Sequence, residues 1–284
     1  MEPSPFRRIG PVVPHSPVVI AVPHAGRDYP PALAAAARVP VERLIALEDR
    51  HVDALLDDAL AAGATAIVAT TARAWIDLNR HPAEVDATMI DPPPRATSVR
   101  DGPRVRAGLG LVPRRLAGLG EIWHGRIAAD ALAARIETVH QPYHQAIADA
   151  LAAARAAHGV AILIDLHSMP PLGGVDRGVG VVFGDLAGTS AAPAVSAAAL
   201  TIAARAGYRA TRNRPYAGGY GVAEHGRPRA GVHALQVELC RSLYLDTALR
   251  MPGAGLAEVR AFVAELHAAL PDSLPQGRGT VAAE

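Results

Sequence analysis

The apolar positions of this chain fall into short β-branched runs and longer stretches with helical spacing. A short apolar run bounded by turn residues is typical of a strand that is buried on both faces. Such runs predict strands at 17–24, 64–71, 161–167, 179–184 and 234–239. Because helical stretches alternate with these runs, the pattern predicts an α/β fold whose mixed, largely parallel sheet is covered on both faces.

The spacing of apolar residues between the runs predicts the helices. Leucines recur at helical spacing over roughly 42–62, where Gly63 provides a stop. An alanine-rich helical region extends from about 121 to 157 with a break near Pro142, and another helix spans 190–206. We expect two more helices after the last strand.

The organisation of the chain favours one domain. We find no internal repeat and no linker, so a single domain is predicted over 1–284. It would carry an N-terminal arm at 1–16 and a C-terminal tail from about 272 to 284. Residues 91–120 hold prolines and glycines and predict a long irregular excursion of the kind that often lines a site.

The composition excludes several classes of partner. The 284 residues are half hydrophobic, with a formal net charge of +1 and arginines scattered among acids, which argues against a nucleic-acid partner. No apolar stretch reaches the roughly 18 residues of a membrane span, and no apolar run follows the N-terminal arginines as in a signal peptide. The single cysteine, Cys240, excludes an internal disulfide, and we expect a cytoplasmic protein.

The absence of lysine excludes several reactions. All 28 basic side chains are arginine. A Walker loop requires a lysine at the phosphates, and Schiff-base chemistry requires a lysine amine. Neither class of protein fits this chain.

Polar side chains that are suited to catalysis follow the predicted strands. His24 ends the first strand, His167 ends the third, and Glu238 lies in the last, while Asn79 and Arg80 follow the second. In open α/β sheets, ligands bind outside the carboxyl ends of the strands. The sequence therefore predicts that these side chains converge on one site.

Two histidines and a carboxylate form the usual ligand set of a catalytic zinc ion. His24 and His167 are the candidate histidines, and Asp165, two positions before His167 on the same strand face, can support it. Glu48 and Asp49 are both candidates for the carboxylate, although solvated charges in a first helical turn are an alternative interpretation.

Glu238 and the arginines have two interpretations each. An acid within the apolar run around Glu238 predicts either an ion pair with Arg241 or a general base that takes a proton from the attacking water and delivers it to the leaving nitrogen. The Asn79-Arg80 pair is suited to binding a substrate carboxylate. The remaining arginines would serve the same acidic ligand or form surface salt bridges, namely Arg73, Arg212 and Arg214.

An ordered set of motifs in this chain resembles the N-formylglutamate amidohydrolases, over about residues 17–250. The motifs are Pro23-His24-Ala25-Gly26, Glu48-Asp49, Asp77-Leu78-Asn79-Arg80, Gly108–Pro113, Asp165-Leu166-His167-Ser168-Met169-Pro170, Asn213–Tyr220 and Gln236-Val237-Glu238.

The resemblance implies a three-layer α/β/α, phosphorylase/hydrolase-like fold that is shared with zinc carboxypeptidases. It implies hydrolysis of N-formyl-L-glutamate to formate and glutamate at the end of histidine degradation. The ligands of one Zn²⁺ would then be His24, Asp49 and His167, with Asp49 preferred over Glu48.

The resemblance also implies roles for the remaining site residues. Glu238 would be the general base, Arg73 would steady the oxyanion, and the substrate would be held by Asn79, Arg80, Arg212, Arg214 and Tyr220. The loop from Gly221 to Gly226 departs from the expected threonine-rich or more basic segment, which leaves the amino acid of the substrate open.

Three alternatives stay open from the sequence. One is a zinc deacylase or carboxypeptidase-like enzyme with another N-acyl amino acid as its substrate. A metal-free serine hydrolase would use Ser168, but the Gly-x-Ser-x-Gly motif is absent. The third is a non-catalytic protein that binds an acidic metabolite. The sequence assigns no role to His51, His81, Tyr143, His144 and His225.

Overall fold

The β-branched runs form the strands of one large mixed sheet. A computed structural model describes residues 4–274. Its strands are β1 Phe6–Ile9, β2 Val18–Val22, β3 Thr65–Ala69, β4 Ile90–Asp91, β5 Arg115–Leu116, β6 Gly120–Glu121, β7 Ile127–Ala128, β8 Ala161–Met169, β9 Val181–Gly184, β10 Ala210–Arg212 and β11 Val232–Cys240. Its helices are α1 Pro31–Ala36, α2 Val41–Leu44, α3 Asp57–Ala61, α4 Pro103–Arg106, α5 Ala129–Arg135, α6 Gln141–His158, α7 Pro193–Arg205, α8 Tyr220–His225 and α9 Leu256–Ala269.

The large sheet has the strand order β1-β3-β2-β8-β11-β9-β10. Strands β2, β8 and β11 are parallel neighbours, whereas β9 pairs with β11 in the antiparallel direction. Every residue of β2 and β8 is buried. Helices lie on both sides of the sheet, which confirms the predicted α/β fold with a mixed, largely parallel sheet.

The described chain forms two compact units, each made of several separate segments of the sequence. The first unit comprises residues 4–7, Pro23–Asp49 and Val68–Gln145, and the second comprises Arg8–Val22, Arg50–Ile67 and 146–274. The predicted single domain over 1–284 stays a prediction. Strand β1 lies within the predicted N-terminal arm, and the part of the predicted tail beyond residue 274 is outside the described residues.

Helix α9 provides much of the apolar packing of the second unit. It packs against α3 and α7. Its side chains Val259, Phe262, Val263 and Leu266 are all buried. Burial of each of these side chains contributes roughly 1.5–3 kcal/mol to the free energy of folding. This apolar face therefore keeps α9 packed against the rest of the unit.

The predicted helix over 42–62 is interrupted in the structure. Helix α2 ends at Leu44, α3 begins at Asp57, and His51 between them has a left-handed φ of 54°. The backbone N–H of Asp49 donates to the carbonyl of His24 at 3.0 Å instead of to a helical partner. The leucine spacing could not reveal this interruption, because it depends on a partner that is distant in sequence.

The predicted helix over 121–157 begins later and is not broken at Pro142. It starts at Ala129 and continues to His158 through a π-helical turn, Ile136–His140, that comes directly before α6. A proline within an α-helix clashes with the carbonyl four residues earlier, and the wider π turn relieves that clash. In α5, Arg135 is buried with its guanidinium 3.4 Å from the ring centroid of Trp75, and burial lowers its pKa to about 10.

The end of the chain also differs from the prediction. Strand β10 did not stand out in the sequence because it has three residues and none is fully buried. In the described residues after β11, α9 is followed by a short 3₁₀ turn at Leu270–Ser273 rather than by a second α-helix. None of the helices in residues 4–274 is both long enough and apolar enough to span a bilayer.

We expect Gly26→Ala to destabilise the protein by on the order of 2–3 kcal/mol, because its new methyl group must displace backbone. A Cβ at Gly26 would lie 1.9 Å from the carbonyl oxygen of Thr71. Gly125→Ala is the matched control, since a Cβ at Gly125 meets no heavy atom within 4 Å. Urea unfolding measures the stability of both variants. Equal unfolding midpoints would contradict the close contact between Gly26 and the backbone of Thr71.

Candidate active site

The site in the first unit is organised around Asp77, which is fully buried. Its carboxylate lies 2.7 Å from Nε2 of His24 and accepts from Nε of Arg73 at 2.8 Å and from the backbone N–H of Asn79 at 2.9 Å. Burial alone would raise the pKa of Asp77, but Arg73, Arg80 and His24 outweigh burial and hold that pKa well below its usual range. Asp77 is therefore an ionised acceptor.

The charge of Asp77 fixes the tautomer of His24. A carboxylate can only accept, so Nε2 of His24 carries the proton that is donated to Asp77. In the neutral ring the lone pair then lies on Nδ1, which is 3.4 Å from Oδ2 of Asp49. A histidine whose outer nitrogen donates to a carboxylate is the usual arrangement of a metal ligand.

Three buried side chains of the described residues form a group that can hold a metal ion. One ligand atom from each of His24, Asp49 and His167 lies within 4.8 Å of the other two. His167 belongs to β8, and its Nε2 is 3.2 Å from Oδ2 of Asp165. These are the residues that the sequence predicted to share an ion.

The two neighbouring acids Glu48 and Asp49 have different surroundings. Both are buried. Glu48 accepts a hydrogen bond from the hydroxyl of Tyr29, whereas Asp49 faces His24. Of the two carboxylates, Asp49 is the one in the metal-binding group.

Glu238 lies beside His167 in the sheet. The two are register partners on the parallel strands β11 and β8, so their side chains leave the same face. Glu238 is half-buried and accepts from Nε2 of Gln236 at 2.9 Å. Arg241, its alternative partner from sequence, donates through Nε to Oγ of Ser168 at 3.0 Å.

Arg80 is a buried cation held by backbone. Its Nε donates to the carbonyl of Leu109 and its Nη1 to that of Asn79, each at 2.8 Å. Its Nη2 is 3.8 Å from Oδ2 of Asp77. Burial lowers the pKa of Arg80, although the charge of Asp77 opposes that change.

The other predicted substrate arginines form ion pairs. Arg212 contacts Asp185 through Nε at 2.7 Å and through Nη2 at 2.6 Å, and Arg214 lies 2.9 Å from Asp176. Tyr220 is the first residue of α8. Substrate binding by these three residues stays a prediction.

His225 lies in α8 close to a buried acid of β8. A Cβ at Gly221, in the same helix, would lie 2.7 Å from Oδ2 of Asp165. Burial lowers the pKa of His225 to about 4, although the charges of Glu224 and Asp165 act in the opposite direction. His225 is therefore neutral around pH 7.

The role of Asp77 was not apparent from the sequence, although Asp77 begins the Asp77-Leu78-Asn79-Arg80 motif. The spacing Asp77-x-Asn79-Arg80 was available, but nothing in it indicates that Asp77 binds His24, which is 53 residues away.

Nδ1 of His81 accepts from the backbone N–H of Ala83, a local turn contact at 2.9 Å.

Comparison with known proteins identifies the class. A family model for N-formylglutamate amidohydrolase matches residues 16–245. N-formylglutamate deformylase of Pseudomonas aeruginosa is 32% identical over 245 residues, which are 81% of this chain and 82% of the relative. The deformylase of Pseudomonas putida is 29% identical over 241 residues, with 81% and 82% covered.

The crystal structure of N-formylglutamate amidohydrolase from Ralstonia eutropha JMP134 has a TM-score of 0.86 to this chain, with 29% identity and coverage of 95% of this chain and 98% of that one. An α/β hydrolase acting on an amide bond is therefore supported by fold and relatives together. The chain belongs to the N-formylglutamate amidohydrolase family, which confirms the resemblance found in the sequence.

We predict that His225→Gln removes part of the acid sensitivity of the fold. Because the pKa of His225 is about 4 when folded and ordinarily 6.5, the unfolded state binds more protons between those values. Wild-type stability should thus fall by up to about 1.4 kcal/mol per pH unit from this residue as the pH drops through that window.

Urea unfolding at pH 7, 6 and 5 checks this, with the exposed His124→Gln as the control. The variant His225→Gln should show the shallower dependence on pH, and His124→Gln should follow the wild type. Parallel curves for all three proteins would refute the assignment.

Proposed function

We propose that this protein is a zinc-dependent amidohydrolase that releases formate from an N-formyl acidic amino acid, most directly N-formyl-L-glutamate. The observation that carries the proposal is the buried group of His24, Asp49 and His167, with His24 oriented by Asp77. Family membership and two relatives named N-formylglutamate deformylase support the substrate.

The donor set fits zinc. Two imidazole nitrogens and one carboxylate oxygen are the ligands of many catalytic zinc sites, which keep a further position open. Ligands about 2.0–2.1 Å from one tetrahedral ion lie about 3.3–3.4 Å apart. The 3.4 Å between Nδ1 of His24 and Oδ2 of Asp49 fits that spacing, and a ligand atom of His167 lies within 4.8 Å of those of the other two residues. A bound divalent ion supplies Lewis-acid activation of water and of the acyl carbonyl.

Glu238 is the proton carrier in this proposal. Its carboxylate takes a proton from the attacking water and transfers it to the leaving nitrogen, so that the amine departs neutral. Its register with His167 on the same sheet face supports this role. Gln236 donates to one carboxylate oxygen of Glu238, a contact that helps to fix the orientation of this side chain.

Asn79 and Arg80 bind the α-carboxylate of the substrate in this proposal. The Nη2 of Arg80 lies 3.8 Å from Oδ2 of Asp77, which is too far for a hydrogen bond to that oxygen, so its N–H groups suit a second carboxylate. Arg73, whose Nε is held by Asp77, brings a cation next to the same segment and is proposed to steady the oxyanion. Histidine degradation and a cytoplasmic location stay predictions.

Removal of the metal should abolish formate release, and zinc should restore it. We expect His24→Ala and His167→Ala to lose bound zinc in elemental analysis while the fold is retained by circular dichroism. The assay compares N-formyl-L-glutamate with N-formyl-L-glutamine and N-acetyl-L-glutamate, which separate the side-chain and acyl preferences.

Full turnover in the presence of a chelator, from protein without metal, would overturn the zinc proposal. Faster turnover of the N-acetyl compound would replace deformylation by the related deacylation.

Glu238→Gln should lower kcat by about 10²–10⁴-fold, because the amide cannot accept the proton. Zinc content should stay at the wild-type level, since Glu238 is not in the metal-binding group. The matched control is Glu42→Gln, the same substitution at an exposed acid in α2, which should keep the wild-type kcat. Wild-type kcat in Glu238→Gln would remove Glu238 from this role.

A further inference from the structure

Two buried histidines hold the backbone beside the proposed carboxylate-binding pair. Nε2 of His144 lies 2.8 Å from the carbonyl oxygen of Leu78, and Nε2 of His140 lies 2.9 Å from that of Arg80. A carbonyl oxygen can only accept, so both rings donate through Nε2. The two bonds fall on either side of the peptide that carries the Asn79 carbonyl.

The rest of this segment is held by its own residues. The carbonyl of Asp77 accepts from the backbone N–H of Arg80 at 3.2 Å, and that of Asn79 accepts from Nη1 of Arg80 at 2.8 Å. With the two histidine bonds, all four carbonyls from Asp77 to Arg80 have a donor. Such a segment is held in one conformation before any ligand arrives.

The two rings are themselves fixed by burial and stacking. His140 and His144 are 1% and 8% exposed, and their ring centroids are 4.5 Å apart. The ring of Tyr143 packs edge-on against His144 at 5.4 Å. His140 ends the π-helical turn and His144 follows one helical turn later, so both project from the same helix face.

We propose that His140 and His144 are positioning residues, which hold Asn79 and Arg80 in the geometry that binds the substrate α-carboxylate. The inference rests on the proposed function of Asn79 and Arg80. It assigns these histidines neither metal binding nor proton transfer, because both Nε2 atoms are occupied by backbone carbonyls. Their loss should weaken substrate binding while leaving the chemical step in place.

Paired substitutions separate the hydrogen bond from the volume of the ring. His144→Leu and His140→Leu remove the donor, whereas His144→Gln and His140→Gln place an amide N–H near the position of Nε2. His158 is the matched control, because it lies on the same helix and its Nε2 is 2.9 Å from the carbonyl of Pro14. His158→Leu therefore loses the same kind of bond away from the proposed site.

We expect His144→Leu and His140→Leu to raise KM for N-formyl-L-glutamate about 10-fold with kcat changed less than about 3-fold, as for lost uniform binding. Each Gln variant should return KM to within about 2-fold of wild type, and His158→Leu should leave KM unchanged. Wild-type KM in both Leu variants, or a rise equal to that in His158→Leu, would overturn the inference.

A double variant tests whether the histidines act through Arg80. Arg80→Lys alone should raise KM, because lysine cannot bind a carboxylate in a bidentate manner. Adding His144→Leu to Arg80→Lys should then produce a much smaller further increase than it does in wild type. If the KM increase of the double variant equals the product of the increases in the two single variants, His144 does not act through Arg80.

Amide hydrogen exchange tests, without any turnover, whether His140 and His144 hold this segment of backbone. The amides of Asn79 and Arg80 donate to Asp77, and they should exchange faster in His144→Leu than in wild type or in His158→Leu. Unchanged exchange overturns the inference whatever the activity. If the wild-type protein releases no formate, the proposed function is wrong. The exchange result still decides whether the two histidines hold the segment.

Discussion

The structure of the candidate site depends on one buried negative charge. Asp77 is completely shielded from water, yet it is ionised because two arginines and a histidine surround it. An isolated carboxylate would not stay charged at that depth, so the charge and its partners have to be present together. The same carboxylate sets the tautomer of His24 and holds the backbone of Asn79, and through these contacts it connects the metal-binding group to the segment proposed to bind substrate.

The sequence predicted those parts of the fold in which buried residues form a local apolar pattern. Strands β2, β8 and β11 lie within or around their predicted runs because each is mostly apolar and almost wholly buried, as expected of strands in a sheet that is covered on both faces. The interruption near His51 and the π turn before α6 could not be predicted in this way. The interruption depends on a hydrogen bond between residues that are distant in the chain, Asp49 and His24, and the π turn accommodates Pro142. The spacing of apolar residues indicates neither.

The site was predictable in its residue types and less so in its connections. His24 and His167 were found because they lie at the ends of predicted strands, whereas Asp49 was preferred over Glu48 only through the family resemblance. Asp77, His140 and His144 were not assigned roles, since each acts on a main-chain group or on another side chain rather than on a ligand. For Arg212 the sequence showed only a charge that could bind an acidic ligand. The ion pair that Arg212 forms with Asp185 is visible only in the folded chain.

The π-helical turn between α5 and α6 has a consequence for how this helix tolerates change. An extra residue in one turn rotates everything after it by about 100° relative to a continuous α-helix. Arg135 before the turn can therefore face Trp75, while His140 at the end of the turn and His144 after it face the segment that ends at Arg80. Deleting a single residue within Ile136–His140 would restore regular helical geometry and set these two faces out of phase, so the length of this turn is constrained more tightly than its composition.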